Sequence, residues 1–254
     1  MPMSTTTAPK TTPALTACKA CATPIGAERK IGHARGYDLL RCPSCATVVV
    51  DPWPTVQQLM EFYQSYKGTS DYRKKAVRKV QRATRRLKKV AARAPGKRLL
   101  DVGCNYGFTV KAGLNLGLDA RGIDIDATAV NTSIETFGAH FECIAVQDYA
   151  ARGESADMIY TAEVVEHVPD PDSFIAAIAK ILVPNGVLYL TTPDAGHFTV
   201  PKDFATWHNV MPPEHITYFT RKGITHLLNK HGLKVEKFFF TLKDGMRLLA
   251  RKQG

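Results

Sequence analysis

Residues 99–108, LLDVGCNYGF, decide how the rest of the chain is read. An apolar run ends on Asp101, Gly103 and Gly107 frame a tight turn, and a helix-forming stretch opens at Phe108. Glycine suits a backbone that must bend sharply or approach a ligand, and such a turn presents N–H groups at a helix N-terminus. Any α/β protein can carry a turn of this look, so a second feature has to support it. GIDID, residues 122–126, closes the next strand about twenty residues on and puts Asp124 where a carboxylate accepts hydrogen bonds from both hydroxyls of a ribose. Asp126, just ahead of ATAV, reads instead as a helix N-cap. Cys104, Asn105 and Tyr106 separate the two glycines, so the G-x-G-x-x-G pattern of dinucleotide sites is absent.

Outward from this turn, strands alternate with helices. RLLDVG, ARGIDI, HFECIAV, ADMIYTAE and GVLYLTTP read as strands. FTVKAGLNLG, ATAVNTSIETFG, PDSFIAAIAKIL and RKGITHLLNKHG read as helices between or after them. The alternation predicts an α/β fold, a doubly wound and mostly parallel sheet with helices on both faces. KVEKFFF and the closing MRLLARK flank only the TLKDG turn. That turn is too short for a parallel crossover, so an antiparallel C-terminal hairpin is expected at the end of the sheet.

The segments LLDVGCNYGF, GIDID and ADMIYTAEVVEHVPDP (156–171), in this order and spacing, resemble the class I S-adenosylmethionine-dependent methyltransferases over about Arg98 to Lys252. AEVVEHVPDP carries most of the specificity and is similar to the branch with ubiquinone-type O-methyltransferases and enzymes of glycan and natural-product tailoring. The resemblance implies a Rossmann-like methyltransferase sheet and S-adenosylmethionine as cofactor. It further implies that Asp101, Gly103 and Gly107 shape the methionine end of the site, with Asp124 on the ribose. Gln147 and Asp148 would lie near the adenine, and Ala162 and Glu163 would line the pocket where the fourth strand ends. Asn105 stands where the family's commonest form has glycine. Asparagine visits left-handed conformations readily, so the turn survives, and cofactor affinity is the quantity the exchange touches.

Four of the six cysteines lie within the first 45 residues, as Cys18-Lys-Ala-Cys21 and Cys42-Pro-Ser-Cys45. Two such knuckles in a core-poor segment predict a zinc ribbon with one structural Zn2+ closed off by four thiolates. A redox role is the alternative and would need only one pair. ARGYDLLRCPSCATVVVDPWPTVQQLMEFYQSY also resembles the N-terminal segment of zinc-ribbon methyltransferases in the same branch. Cys104 and Cys143 are expected as buried free thiols.

Ligands of open α/β sheets bind beyond the carboxyl ends of the strands. Glu166 and His167 follow the fourth strand, and a long aperiodic segment from Pro193 to Thr220 with Glu214 and His215 follows the fifth. Loops of that length are usually functional, often lids. Methyl transfer to a hydroxyl requires alignment and proton removal, so His167 and His215 are the candidate bases, with Glu166 or Glu214 as orienting carboxylates. Both histidines have a packing role as the alternative. Trp207 and Tyr218 either pack on the acceptor or belong to the core.

The chain carries a net charge of +11, and thirteen Lys or Arg with no Asp or Glu fall between Arg73 and Arg98, so the excess is local. Val77, Val80, Ala83, Leu87 and Val90 recur there at three- or four-residue steps, which predicts a basic helix with one packed face. A solvated basic face, an anionic acceptor and RNA are the three readings of those cations, the last without interleaved aromatics for base stacking. The expected organisation is a disordered tail (1–16), the ribbon (17–54), a helical linker region (55–97) and a methyltransferase domain (98–254). No run reaches the roughly 18–20 apolar residues of a membrane helix, and no secretory signal precedes the ribbon, so a cytoplasmic enzyme is expected. Its acceptor would be a small molecule or glycan precursor. An RNA methyltransferase and a non-catalytic scaffold remain as alternatives.

Overall fold

In the computed structural model, residues 15–65 and 76–254 are described. Most of the expected tail, and Arg73, Lys74 and Lys75 of the cation run, lie outside them. Leu15, which the sequence reading places in the tail, is buried, and its amide donates to Asp51 Oδ1 at 2.9 Å. Three short strands follow, β1 (Lys30–Ala34), β2 (Tyr37–Arg41) and β3 (Val48–Asp51), paired antiparallel in that order. Among the described residues, two helices lead out of the ribbon, α1 (Val56–Ser65) and α2 (Ala76–Ala91).

The large sheet is built from β4 (Arg98–Val102), β5 (Asp119–Asp124), β6 (Phe141–Cys143), β7 (Ala156–Ala162), β8 (Leu182–Pro193), β10 (Leu233–Phe238) and β11 (Gly245–Lys252). Their spatial order is β10-β11-β8-β7-β4-β5-β6. The five strands from β6 to β8 run parallel, whereas β11 is antiparallel to both β8 and β10, as the short turn between the last two strands requires. The chain order reverses between β4 and β7, and the crevice at their carboxyl ends is where open α/β sheets bind ligands.

Side chains alternate between two cores. Leu99, Met158 and Tyr160 face one, with α2, α3 (Phe108–Asn115) and α4 (Ala127–Phe137). Leu100, Ile159 and Leu188 face the other, with α5 (Val146–Ala151), α6 (Pro171–Ile181) and α7 (Arg221–Lys230). Adjacent strand residues point to opposite faces, so strands covered by helices on both sides are apolar throughout.

Several details differ from the sequence reading. Ala83, Leu87 and Val90 of α2 are buried, but Val77 in its first turn is 71% exposed, beyond the reach of the sheet. β6 stops at Cys143, and Val146 already opens α5, so Gln147 and Asp148 ride on a helix. Cys143, expected to be buried, is exposed because the strand ends there at the sheet's edge, while Cys104 is buried as expected.

The 193–220 segment also holds more structure than its sequence suggests. Within it β9 (Thr217–Tyr218) pairs antiparallel with β3, Val48 opposite Tyr218 and Val49 opposite Thr217. The ribbon sheet therefore gains its fourth strand from the segment that follows β8. Leu39, Val48 and Val50 of the ribbon share a core with Phe204, Trp207, Ile216 and Tyr218. Lys222 Nζ donates to the Ser44 carbonyl at 2.6 Å, tying the second cysteine knuckle to the start of α7.

Candidate functional site

The turn after β4 requires both its glycines. Gly103 and Gly107 have φ of +76° and +71°, where side chains other than glycine's are strained. A Cβ at Gly103 would lie 2.4 Å from Val164 Cγ2, and one at Gly107 would lie 2.5 Å from the Phe141 ring. Asn105, with φ of 47°, occupies the left-handed region as its residue type allows. Its side-chain oxygen accepts from the Tyr106 amide at 2.9 Å, and Ser133 Oγ donates to its carbonyl at 3.0 Å.

Two acids sit beside this turn. Asp124 at the end of β5 accepts the Asn105 amide on Oδ2 at 2.8 Å and the Asp126 amide on Oδ1 at 3.0 Å. A carboxylate offers about four lone-pair positions, so both oxygens retain acceptor capacity for a ligand. Asp126 caps α4, accepting from the Thr128 and Ala129 amides, as its position implied. Asp101 is only 3% exposed, and burial, reinforced by the Asp124 charge, pushes its carboxyl up to about 8. Burial also raises Asp124. The crevice thus brings together two acidic side chains that complement a cationic ligand. Gln147 and Asp148 are exposed on the first turn of α5, with Gln147 Nε2 donating to Ser173 Oγ at 3.0 Å.

Beyond β7 the chain makes a second irregular turn. Glu163 has φ of 57°; its amide donates to the Thr191 carbonyl at 2.9 Å, and its Oε1 accepts from Thr191 Oγ1 at 2.6 Å. Glu166 is 1% exposed and accepts from Thr192 Oγ1 on Oε2 at 2.9 Å; among the described residues its Oε1 makes no hydrogen bond but lies 3.8 Å from His167 Nε2. Burial raises both carboxyls, and Glu163's charge raises Glu166 further.

His167 Nδ1 donates to the Glu214 carbonyl at 2.7 Å, and His215 Nδ1 donates to the Asn209 carbonyl at 2.8 Å. A carbonyl only accepts, so each Nδ1 carries the proton and each Nε2 presents a lone pair. The rings meet edge to face at 4.7 Å. Burial, then the neighbouring His215, lowers His167 to about 4, and burial lowers His215 as well. The backbone carbonyl of Glu214 holds the His167 ring at Nδ1, and Glu166 Oε1 lies 3.8 Å from its Nε2. Glu166, His167 and His215 each offer a ligand atom, all within 4.8 Å of one another, a set able to hold a divalent cation.

A cavity of about 980 Å3 opens at the ends of β7 and β8, walled by Ala162, Glu163, Tyr189 and Thr191 and roofed by α2. Arg86 of α2, which no sequence motif marks, donates from Nη1 to Tyr160 Oη at 2.9 Å, and Tyr160 stacks on Tyr189 with ring centres 5.0 Å apart. Trp207 and Tyr218 are 3% and 1% exposed and pack with Phe204, which places them in the core.

In the ribbon, Cys18 Sγ lies 3.6 Å from Cys45 Sγ, and Cys21 Sγ 3.5 Å from Cys42 Sγ. Four sulfurs about 2.3 Å from a tetrahedral zinc stand about 3.8 Å apart, so the spacing suits one Zn2+. The two knuckles are built alike. Ala22 and Ala46, each just after the second cysteine, have φ of 57° and 61° and donate to the carbonyls of Cys18 and Cys42. No helix among the described residues is long and apolar enough to cross a membrane.

Fold, turn and paired acids together define a class: a Rossmann-like methyltransferase sheet with a ligand crevice at its topological switch. The methyltransferase domain family matches residues 72–237, and the chain belongs to that family. It is 34% identical over 143 residues to a ubiquinone biosynthesis O-methyltransferase of Neisseria meningitidis serogroup A, covering 52% of this chain and 56% of that one. It is 36% identical over 116 residues to the ubiquinone biosynthesis O-methyltransferase of Thiobacillus denitrificans, covering 42% of this chain and 50% of the relative. The chain thus spans about half the length of the curated relatives it matches. Among solved structures, a SAM-dependent methyltransferase from Archaeoglobus fulgidus shares the fold with a TM-score of 0.56 at 13% identity, covering 76% of this chain and 99% of that one. Magnesium protoporphyrin IX methyltransferase from Synechocystis PCC 6803 with bound SAH gives 0.54 at 18% identity, covering 78% and 95%.

Proposed function

We propose that this chain transfers a methyl group from S-adenosylmethionine to a hydroxyl of a small molecule or glycan precursor. The observation that carries the proposal is the joining of the glycine turn to Asp124 through the Asn105 amide, beside the buried Asp101. S-Adenosylmethionine carries a sulfonium and an ammonium, and two carboxyls raised by burial offer the charge complement. Gly103, Asn105 and Gly107 would accommodate the methionine part and Asp124 the ribose, with Gln147 and Asp148 toward the adenine. Ala162 and Glu163 would form the wall shared with the acceptor.

The bound cofactor supplies an electrophilic methyl. The protein's part is to hold the acceptor oxygen in line and take its proton. His167, with Nδ1–H fixed by the Glu214 carbonyl and Nε2 unprotonated, is the assigned base, and His215 is the competing one on the segment after β8. The clustering of Glu166, His167 and His215 ligand atoms within 4.8 Å of one another, with Glu166 Oε1 buried and 3.8 Å from His167 Nε2, favours a second reading of the same residues, as ligands of a divalent cation that lowers the acceptor hydroxyl's pKa. Turnover abolished by a chelator and restored by Mg2+ alone, which does not replace a Zn2+ held by four thiolates, would select that reading. Turnover indifferent to both would select the histidine base.

The four cysteines are assigned to one structural Zn2+, which suits a reducing compartment such as the cytoplasm. The retained glycines and acids disfavour a non-catalytic scaffold. Label transfer from methyl-labelled S-adenosylmethionine to a pool of phenolic metabolites and glycan precursors tests the activity. A labelled small molecule is expected, and label appearing in RNA alone would overturn the small-molecule reading.

A further inference from the structure

The basic helix does more than solubilise one face of the protein. Ala83, Leu87 and Val90 turn α2's apolar side onto the sheet, and Arg82, Arg85, Arg86 and Lys89, three or four residues apart, form a stripe along its flank. That flank is a wall of the 980 Å3 cavity that opens at Glu163. Lys88 of the same helix also lines it, and across the cavity lie Lys243 and Arg247, so seven cationic side chains line it against one carboxylate. Like charges at helical spacing oppose folding, and among the described residues no ion pair with a carboxylate offsets them. Arg86 is already held by Tyr160 Oη at 2.9 Å, which leaves most of its five donors for a ligand. The remaining wall carries two apolar side chains, Phe239 and Leu242, the latter 77% exposed, beside Tyr189, Thr191 and Thr241. Converging guanidiniums match the oxygens of a phosphate better than any neutral group.

We propose that this cavity takes a small acceptor bearing a phosphate or diphosphate beside an apolar group. The anion lies on the Arg82–Arg85–Arg86 stripe, the apolar part lies on Phe239 and Leu242, and the hydroxyl to be methylated lies at the Glu163 end. The assignment of the cavity to the acceptor rests on the methyltransferase reading above; its affinity for an amphipathic anion does not.

The test titrates hexyl diphosphate, hexanol and inorganic pyrophosphate into the full chain by calorimetry, beside S-adenosylmethionine. Hexyl diphosphate should bind at least about tenfold more tightly than either of the others, a difference of about 1.4 kcal/mol. Arg82→Gln/Arg85→Gln keeps good helix formers on α2 and should weaken hexyl diphosphate at least about tenfold, with S-adenosylmethionine affinity within about twofold of wild type. Arg247→Gln, on the opposite wall and outside α2, should weaken it too. Lys180→Gln/Lys234→Gln removes the same charge from α6 and β10, away from the cavity, and should change nothing. Equal binding of hexanol and hexyl diphosphate, or equal losses in the two double variants, would overturn the proposal. So would displacement of hexyl diphosphate by a tighter-binding RNA oligonucleotide, which would assign the stripe to nucleic acid. Failure of wild type to bind S-adenosylmethionine would strike the methyltransferase reading and leave the anion site standing on its own result.

Discussion

The Asn105 amide and Asp124 Oδ2 are 2.8 Å apart, so one carboxylate at the end of β5 fixes the turn that ends β4. The residue at the place where glycine is commonest donates to the acid assigned to the ribose, and its left-handed φ aims that donor. Cofactor affinity and turn geometry are therefore coupled. Asn105→Gly should keep the turn, whereas Asn105→Val puts a β-branched residue at φ of 47° and should lower stability by about 1–3 kcal/mol, read as a fall in the thermal midpoint. An unchanged midpoint in Asn105→Val would show that the turn relaxes freely.

Asp101 makes stability and cofactor binding depend on pH in opposite directions. Its folded-state pKa of about 8 lies above the ordinary 3.8, so its contribution to stability is whole below 3.8 and is lost as pH rises through about 8. Between those values wild type should lose up to about 1.4 kcal/mol per pH unit relative to Asp101→Asn. A cationic cofactor favours the carboxylate, so binding at pH 7 should release a proton and tighten from pH 6 to pH 8. Melting curves of both proteins, and calorimetry in buffers of different ionisation enthalpy, check the two signs. Parallel pH profiles would remove Asp101 from the account.

The zinc assignment reaches past the ribbon because β3 pairs with β9. Metal analysis should find one Zn2+ per chain, and Cys42→Ser should lower both zinc content and thermal stability. Loosening β3 should also reach His215, two residues before β9, so the acceptor KM should rise in the same variant. Full zinc content in Cys42→Ser, or a folded wild type without metal, would contradict the assignment.

Much of this architecture is legible in the amino acids. LLDVGCNYGF and GIDID mark the crevice because each combines an apolar strand with residues whose backbone or charge the site needs. The C-terminal hairpin follows from a turn too short for anything else. β9 is invisible, since two residues carry no periodicity and their partner strand lies far away in sequence. Arg86 is hidden for a related reason: Tyr160, its partner, stands 74 residues on, and a cation in a cationic helix looks like its neighbours. Cys143 misleads because an apolar run continues past the point where the sheet ends.

His167 is unprotonated well below neutrality, its pKa lowered to about 4, so its own titration should leave no inflection in turnover between pH 6 and 9. His167→Ala should lower turnover by about two to four orders of magnitude with cofactor affinity intact. His215→Ala should raise the acceptor KM more than it lowers turnover if that ring only closes the site. Near-normal turnover in His167→Ala with collapse in His215→Ala would move the base to the segment after β8.

The central claim is that S-adenosylmethionine lies on the turn after β4 with its ribose on Asp124, and calorimetric titration of the cofactor into wild type and Asp124→Ala tests it most directly. The account predicts one site in wild type and a loss of about 1.5–3 kcal/mol in the variant, the scale of hydrogen bonds to a charged group. No measurable binding by wild type, or the same affinity in both proteins, would contradict it.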